Sequence, residues 1–116
     1  MTPKQTRAQQ LLGDFAPKLV ELTDDVLFGD VWQRPGLSRR DRSLITVAAL
    51  VTLYRPEQLD SHLRLALTNG LSQDELVEAL THLAFYAGWP SAMSALMRFQ
   101  AIVNSGSQEA ADEVGR

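Results

Sequence analysis

The sequence predicts an all-α fold of six helices in a compact subunit. Three observations carry that reading. Apolar residues recur at spacings of three and four along most of the chain, prolines and glycines punctuate the runs, and no hairpin-type turn is flanked by alternating segments. The chain has 116 residues, 45% of them hydrophobic. That fits a single domain, 1–116, which hides roughly two thirds of its unfolded surface on folding.

The opening residues are polar. Phe15, Leu19, Leu22 and Val26 then recur as one face of a first helix, with Pro17 suited to its first turn, where a missing N–H costs nothing. Thr23, followed by Asp24 and Asp25, reads as the cap and acidic first turn of a second short helix, which Arg34-Pro35-Gly36 ends. Ser38 with Asp41 and Ser72 with Glu75 mark two further helix starts of the capping-box type. Pro56 and Pro90 each separate one apolar helical run from the next, while Asn69-Gly70 and Gly88 supply helix-closing positions.

Between residues 44 and 54, apolar side chains surround the whole circumference, so this helix is expected to be central and buried on several sides. Its Val and Ile content also suits a strand, but its length and the Ser38 cap favour a helix. From about 104 onward large apolar groups are scarce, which suggests a flexible tail after a core of about 15–103. No repeat of solenoid period is present.

Composition narrows the function. Fourteen acidic residues against eleven basic ones, a net charge of −3, carry no nucleic-acid footprint. The absence of cysteine excludes disulfides, thiolate metal sites and thiol redox catalysis, since each needs sulfur as ligand or nucleophile. No apolar run approaches the roughly twenty residues of a membrane span, and the first residues lack a signal-peptide stretch, so a cytoplasmic location is expected. Nine of the eleven basic residues are Arg, six of them between Arg34 and Arg64. The planar guanidinium fork suits a small anionic ligand or buried ion pairs at a subunit contact.

Two helices carry candidate chemistry. On the helix from 56 to 69, His62 lies about 60° from the centre of the stripe Leu59, Leu63, Ala66 and Leu67, at a core edge. A catalytic imidazole and an anchored structural one are both compatible with that position. On the helix from 73 to 88, Leu76, Leu80, Leu83, Ala84 and Ala87 face the core, while Glu78, His82, Phe85, Tyr86 and Trp89 cluster on the other side. A mixed aromatic and ionisable face meets a partner subunit, lines a pocket, or does both. Glu78 and His82 stand four apart, so the carboxylate is within reach of the ring; a plain surface ion pair is the alternative. Arg39, Arg40 and Arg42 crowd a first turn whose dipole disfavours cations, which points to an acid or an anionic ligand facing at least one of them, with Asp41, Glu57 and Asp60 as available partners. Two histidines twenty residues apart define no metal site, and no phosphate-cradling loop, serine elbow or dinucleotide fingerprint occurs.

The segments FGDVWQRPGLSRRDRSLITVAAL, HLRLALTNGLSQDEL and EALTHLAFYAGWPSA resemble the carboxymuconolactone decarboxylase family over about residues 15–103, in spacing as well as residue type. The resemblance implies an all-helical, alkyl hydroperoxidase D-like subunit that assembles into a homo-oligomer, a trimer or hexamer, with sites near subunit contacts and no cofactor or metal. The family's peroxide-handling branch reads Cys-x-x-Cys-x-x-x-His with an upstream glutamate. Aligned on His62, its cysteine positions are Arg55 and Gln58 here, and the glutamate falls near Ser43. The decarboxylase branch is matched instead, through Arg40-Asp41-Arg42-Ser43-Leu44, His62-Leu63-Arg64, Asn69-Gly70, and His82 with Tyr86-Ala87-Gly88.

By this resemblance the substrate is a small carboxylated lactone of the γ-carboxymuconolactone type. Arg34 and Arg42 are expected to hold its carboxylates, His62 or His82 to supply a proton, Glu78 to tune His82, and Trp32, Tyr86 and Trp89 to dry the pocket. The competing reading is a paralogue of other or no activity whose motifs chiefly hold the oligomer together. One outcome is independent of that choice. With an organic hydroperoxide and a dithiol reductant, peroxide consumption should not exceed the buffer rate, because no residue can be oxidised to a sulfenic acid and reduced again.

Overall fold

The computed structural model describes residues 4–114, with side chains over 4–106. All regular structure among them is helical, and six α-helices are present. The chain divides into two compact units, Met1–Arg39 and Arg40–Arg116.

The first unit opens with α1 (Arg7–Leu12), a helix absent from the sequence reading. Thr6 and Gln9 form a reciprocal capping box, with Gln9 N–H donating to Thr6 Oγ1 at 3.1 Å and Thr6 N–H to Gln9 Oε1 at 2.8 Å. Next, α2 (Pro17–Glu21) starts on its proline and runs directly into a π-helical segment, Leu22–Phe28. Thr23 therefore caps nothing. Its Oγ1 donates back to the Leu19 carbonyl at 2.8 Å inside a continuing helix, so the expected second helix start is corrected to a change of helical pitch. A 3-10 turn, Val31–Gln33, follows. The stripe expected to face a core is open in this chain: Phe15 is 89% exposed, Leu19 53%, Leu22 43% and Val26 47%. Val20 and Trp32 are buried instead.

The second unit holds the main core. It comprises α3 (Arg39–Thr52), α4 (Pro56–Thr68), α5 (Gln73–Ala87) and α6 (Trp89–Val114). Each contributes residues at helical spacing: Val47 and Val51; Leu59, Leu63 and Ala66; Leu76 and Leu80; Ala95, Phe99 and Ile102. α3 is buried on one side rather than several, because Ile45 and Leu53 are about 60% exposed. Its inward face also buries the Ser43 hydroxyl completely, and Asn69 Nδ2 satisfies that oxygen at 3.0 Å. Arg98 grips Asp60 with two parallel bonds, Nε at 2.9 Å and Nη2 at 3.1 Å, tying α6 to α4. α6 continues to Val114 instead of ending near 103. Side chains from 107 on lie outside the described residues, and with them most of the tail expected after 104.

The connections are short and chemically specified. α4 ends in a Schellman motif: Leu71 N–H donates to Ala66 O at 3.0 Å, Gly70 N–H to Leu67 O at 3.2 Å, and Gly70 takes φ +106°. Leu71 then folds into the core. α5 starts on the Ser72–Glu75 box anticipated from sequence, with both reciprocal bonds at 3.0 Å. Only Gly88 separates α5 from α6, at φ +101° and ψ +144°, a region essentially closed to residues bearing a Cβ. α3 ends in a second Schellman motif, Arg55 N–H to Leu50 O at 2.9 Å and Tyr54 N–H to Val51 O at 3.2 Å, but its left-handed residue is Tyr54, at φ +54°.

That placement of Tyr54 yields a stability test. The left-handed conformation costs an L-residue roughly 1–2 kcal/mol, whereas glycine loses roughly 0.5–1 kcal/mol more backbone entropy on folding. Tyr54→Gly should therefore fall within about 1 kcal/mol of wild type in chemical denaturation, while Tyr54→Val, β-branched at the same φ, should lose more than about 1 kcal/mol. Equal losses in the two variants would show that the tyrosine ring, rather than the backbone, governs this corner.

Candidate functional site

The second unit contains a cavity of about 470 Å³ lined by Arg40, Leu44 and Ala48 of α3, Leu71 of the connection, and Glu75, Glu78, Ala79, His82 and Leu83 of α5. Its lining is mostly apolar, with Arg40, Glu75, Glu78 and His82 as its ionisable members. The sequence puts them there by spacing alone: Leu76 and Leu80 are fully buried, which fixes the rotation of α5, and Glu75, Glu78 and His82 at steps of three and four then share another face. A second groove of about 400 Å³, between α5 and α6, is lined by Gln73, Val77, Met93, Leu96, Met97, Phe99, Gln100, Val103 and Asn104. It has no ionisable side chain and so offers no acid–base chemistry.

In the first cavity, Arg40 donates to Glu75 through Nη2 and to Asp41 Oδ1 through Nη1 at 3.3 Å. The expectation that a first-turn arginine faces an acid thus applies to Arg40. Asp41 is one partner; Glu75, thirty-five positions away, is the one that sequence spacing does not reveal. Asp60 pairs elsewhere, with Arg98. Arg39 donates to Gln33. Glu75 is doubly committed, and the Ser72 backbone N–H bound to its carboxylate holds its pKa below the ordinary carboxylate value, with the Arg40 charge acting in the same direction.

The anticipated site residues fall into three groups. Glu78 and His82 line the cavity, although no hydrogen bond or ion pair joins them among the described residues; the His82 ring instead lies against Tyr86, centroids 4.9 Å apart and tilted by 33°. Tyr86 is 76% exposed, and Trp89, 59% exposed, meets Phe85 edge-on at 5.7 Å. These rings form an open aromatic face beside the cavity rather than its lining.

His62 and Arg42 are half-buried on α4 and α3 and are not among the residues lining that cavity. Burial lowers the His62 pKa, because desolvation disfavours the imidazolium. Its Nδ1 atom is fully enclosed and receives no hydrogen bond among the described residues, while the residue makes other interactions. Trp32 and Arg34 belong to the first unit. Trp32 is buried with its ring 5.5 Å from Phe28, and Arg34 is exposed just past the 3-10 turn. Among the described residues no cluster of three or more His, Asp or Glu is arranged to hold a metal, and no helix is long and apolar enough to cross a membrane.

Comparison with known proteins follows the same lines as the motifs. The carboxymuconolactone decarboxylase family model matches residues 17–101. The chain is 40% identical over 90 residues to the 4-carboxymuconolactone decarboxylase of Acinetobacter baylyi, covering 78% of this chain and 67% of that protein. It is 39% identical over 84 residues to the nitrosuccinic acid decarboxylase of Metarhizium robertsii, covering 72% of this chain and 59% of that protein, less than two thirds of its length.

Burial of His62 gives a pH dependence of definite sign. Its folded pKa lies below the unfolded value near 6.5, so the unfolded chain binds more protons under mildly acid conditions, and stability falls as pH drops from about 7 through 6.5 toward the folded pKa. Urea midpoints measured from pH 8 to 5 should fall at the acid end, and the fall should shrink in His62→Asn. An unchanged pH slope in that variant would assign the acid sensitivity elsewhere.

Proposed function

Since the chain belongs to the carboxymuconolactone decarboxylase family, we propose that it decarboxylates a small carboxylated lactone of the γ-carboxymuconolactone type, without a cofactor, in the cavity between α3 and α5. The observation carrying this reading is the composition of that cavity: a largely apolar chamber whose lining also holds an imidazole, a guanidinium and two carboxylates. Both relatives are named for loss of carbon dioxide from small carboxylic acids, which supports the reaction type.

The chemistry follows from charge. Breaking the bond to the carboxylate releases neutral carbon dioxide and leaves the electron pair on the γ-carbon, delocalised through the unsaturated lactone as a dienolate. The walls formed by Leu44, Ala48, Leu71, Ala79 and Leu83 solvate a carboxylate poorly and carbon dioxide well, so they favour the forward step. One proton must then reach carbon. In this reading His82 delivers it as imidazolium, becomes neutral, and is reprotonated from solvent, to which it is open. Glu78 stands in the same cavity lining, one helical turn before His82 on α5. His62 is a poorer donor, since burial lowers its pKa by disfavouring the imidazolium and it lies outside the lining. Arg42 and Arg34 are not among the residues that line this cavity, so this reading gives them no contact with the substrate.

Assembly is part of the same proposal. Phe85 and Tyr86 are each 76% exposed and Trp89 59%, beside the cavity that holds His82, and the first unit leaves Phe15 almost bare. Such a surface suits a homo-oligomer, a trimer or hexamer, whose contacts exclude water from the site. Sedimentation at micromolar concentration should give a multiple of the 12.9 kDa chain, and a stable monomer would refute the assembly.

Supplied with γ-carboxymuconolactone, the purified protein should release carbon dioxide. His82→Ala should lower kcat by about 10²–10⁴-fold, the usual contribution of a positioned general acid, whereas His62→Asn should retain most activity. Absence of turnover by the wild-type protein would remove the substrate; turnover indifferent to His82 would remove the proton donor.

A further inference from the structure

The cavity lining holds one guanidinium, and a lactone that carries two carboxylates presents two claims on it. Arg40 is the only Lys or Arg among the described residues lining the cavity; it is bonded to Glu75, and Glu78 is the other carboxylate of the lining. His82 gives up its proton in the proposed reaction, so Arg40 is the one cationic attachment point in the lining that a dianionic substrate keeps throughout. Which carboxylate takes it is decided by the reaction. A cation bound to the departing carboxylate stabilises that group relative to neutral carbon dioxide and raises the barrier, whereas one bound to the carboxylate that stays holds the substrate without opposing the chemistry.

Arg40 is built for that task. A guanidinium has five N–H donors in a planar fork. Here one Nη2–H goes to Glu75 and one Nη1–H to Asp41, and the other donors have no protein acceptor among the described residues. The side chain is 39% exposed, so the fork is neither sealed in a buried pair nor loose in solvent. Glu75 is itself immobilised, because its other oxygen closes the capping box of α5 on Ser72 N–H at 3.0 Å. The start of α5 thereby sets the direction of the Arg40 fork. Arg42, anticipated from the motif as the carboxylate holder, is not in the lining.

We propose that Arg40, oriented by Glu75, binds the carboxylate retained through the reaction, so that the site selects small dicarboxylic acids over monoacids in which the only carboxylate is the one to be lost. This rests on decarboxylation in the same cavity, and Glu75 is a positioning residue, not a catalytic one.

Binding separates the two claims. Calorimetric titration with trans,trans-muconate, an unreactive six-carbon dicarboxylate, and with its monomethyl and dimethyl esters is to be carried out on the wild-type protein, Arg40→Gln and Arg42→Gln, each checked for an unchanged thermal midpoint. Arg40→Gln should weaken muconate and its monomethyl ester by about 10–100-fold, the worth of a charge-assisted fork, and leave the dimethyl ester unaffected, with Arg42→Gln close to wild type. Wild-type protein that fails to bind muconate, an Arg40→Gln variant that binds it normally, or equal losses for all three ligands would each overturn the assignment. If Arg40-dependent muconate binding is seen but γ-carboxymuconolactone is not turned over, the decarboxylase reading fails and with it the distinction between staying and leaving carboxylates, while the anion anchor itself stands. Turnover that persists in Arg40→Gln with unchanged KM leaves the decarboxylase reading intact and removes Arg40.

Discussion

The site depends first on the rotation of α5 about its own axis. Leu76 and Leu80 are fully buried, and burying each contributes roughly 1.5–3 kcal/mol relative to exposure, far more than a partly exposed ion pair is worth. No rearrangement of Glu78 or His82 competes with that. Once the two leucines are seated, Glu75, Glu78 and His82 line the cavity and Phe85 and Tyr86 stand exposed beside it. The Ser72–Glu75 box fixes where the helix begins, and Gly88 fixes where it stops. Replacing either leucine by alanine would cost roughly 2–5 kcal/mol and release the geometry of the site along with the core.

One residue joins the two levels of organisation. Glu75 caps α5 with one oxygen and aims Arg40 with the other, so a local helix-start signal also determines where a positive charge sits in the cavity. A carboxylate in that position stays ionised, because a backbone N–H and a guanidinium both favour its charged form. Around it the cavity is apolar, and each remaining charge acts with little competition from neighbouring polar groups. The exposed aromatic face beside it is the part of the molecule that a single chain leaves unfinished, and the proposed oligomer would cover it.

Much of this was legible in the sequence, and the failures have physical causes. Helices α3 to α6 could be read because their buried positions follow a period of 3.6 and their ends carry strong signals: Pro56, Ser72 with Glu75, Asn69-Gly70 and Gly88. The N-terminal unit was read less well. Thr6 and Gln9 make a capping box within a polar stretch that has no apolar stripe to announce a helix, and Thr23 has the residue type of a cap but spends its hydroxyl on Leu19. The Phe15–Val26 stripe has helical periodicity, but periodicity says only that residues share a face, not what covers it. The same limit separated the histidines. Both lay off the apolar stripe of their helices, and only packing distinguishes His82, in the cavity lining, from His62, enclosed within α4's surroundings. Arg40 went unselected among three adjacent arginines because its partner is thirty-five residues distant, beyond the reach of any local pattern.

The central claim, that the α3–α5 cavity is where a small anion meets an imidazole, is tested most directly by nuclear magnetic resonance of the two histidine rings. The chain contains only His62 and His82, so two sets of ring carbon-bound proton signals are expected, assigned by substituting each in turn. Adding trans,trans-muconate should shift the His82 signals in a saturable way and leave those of His62 nearly still. Movement of the His62 signals alone, or of neither set, would contradict the account.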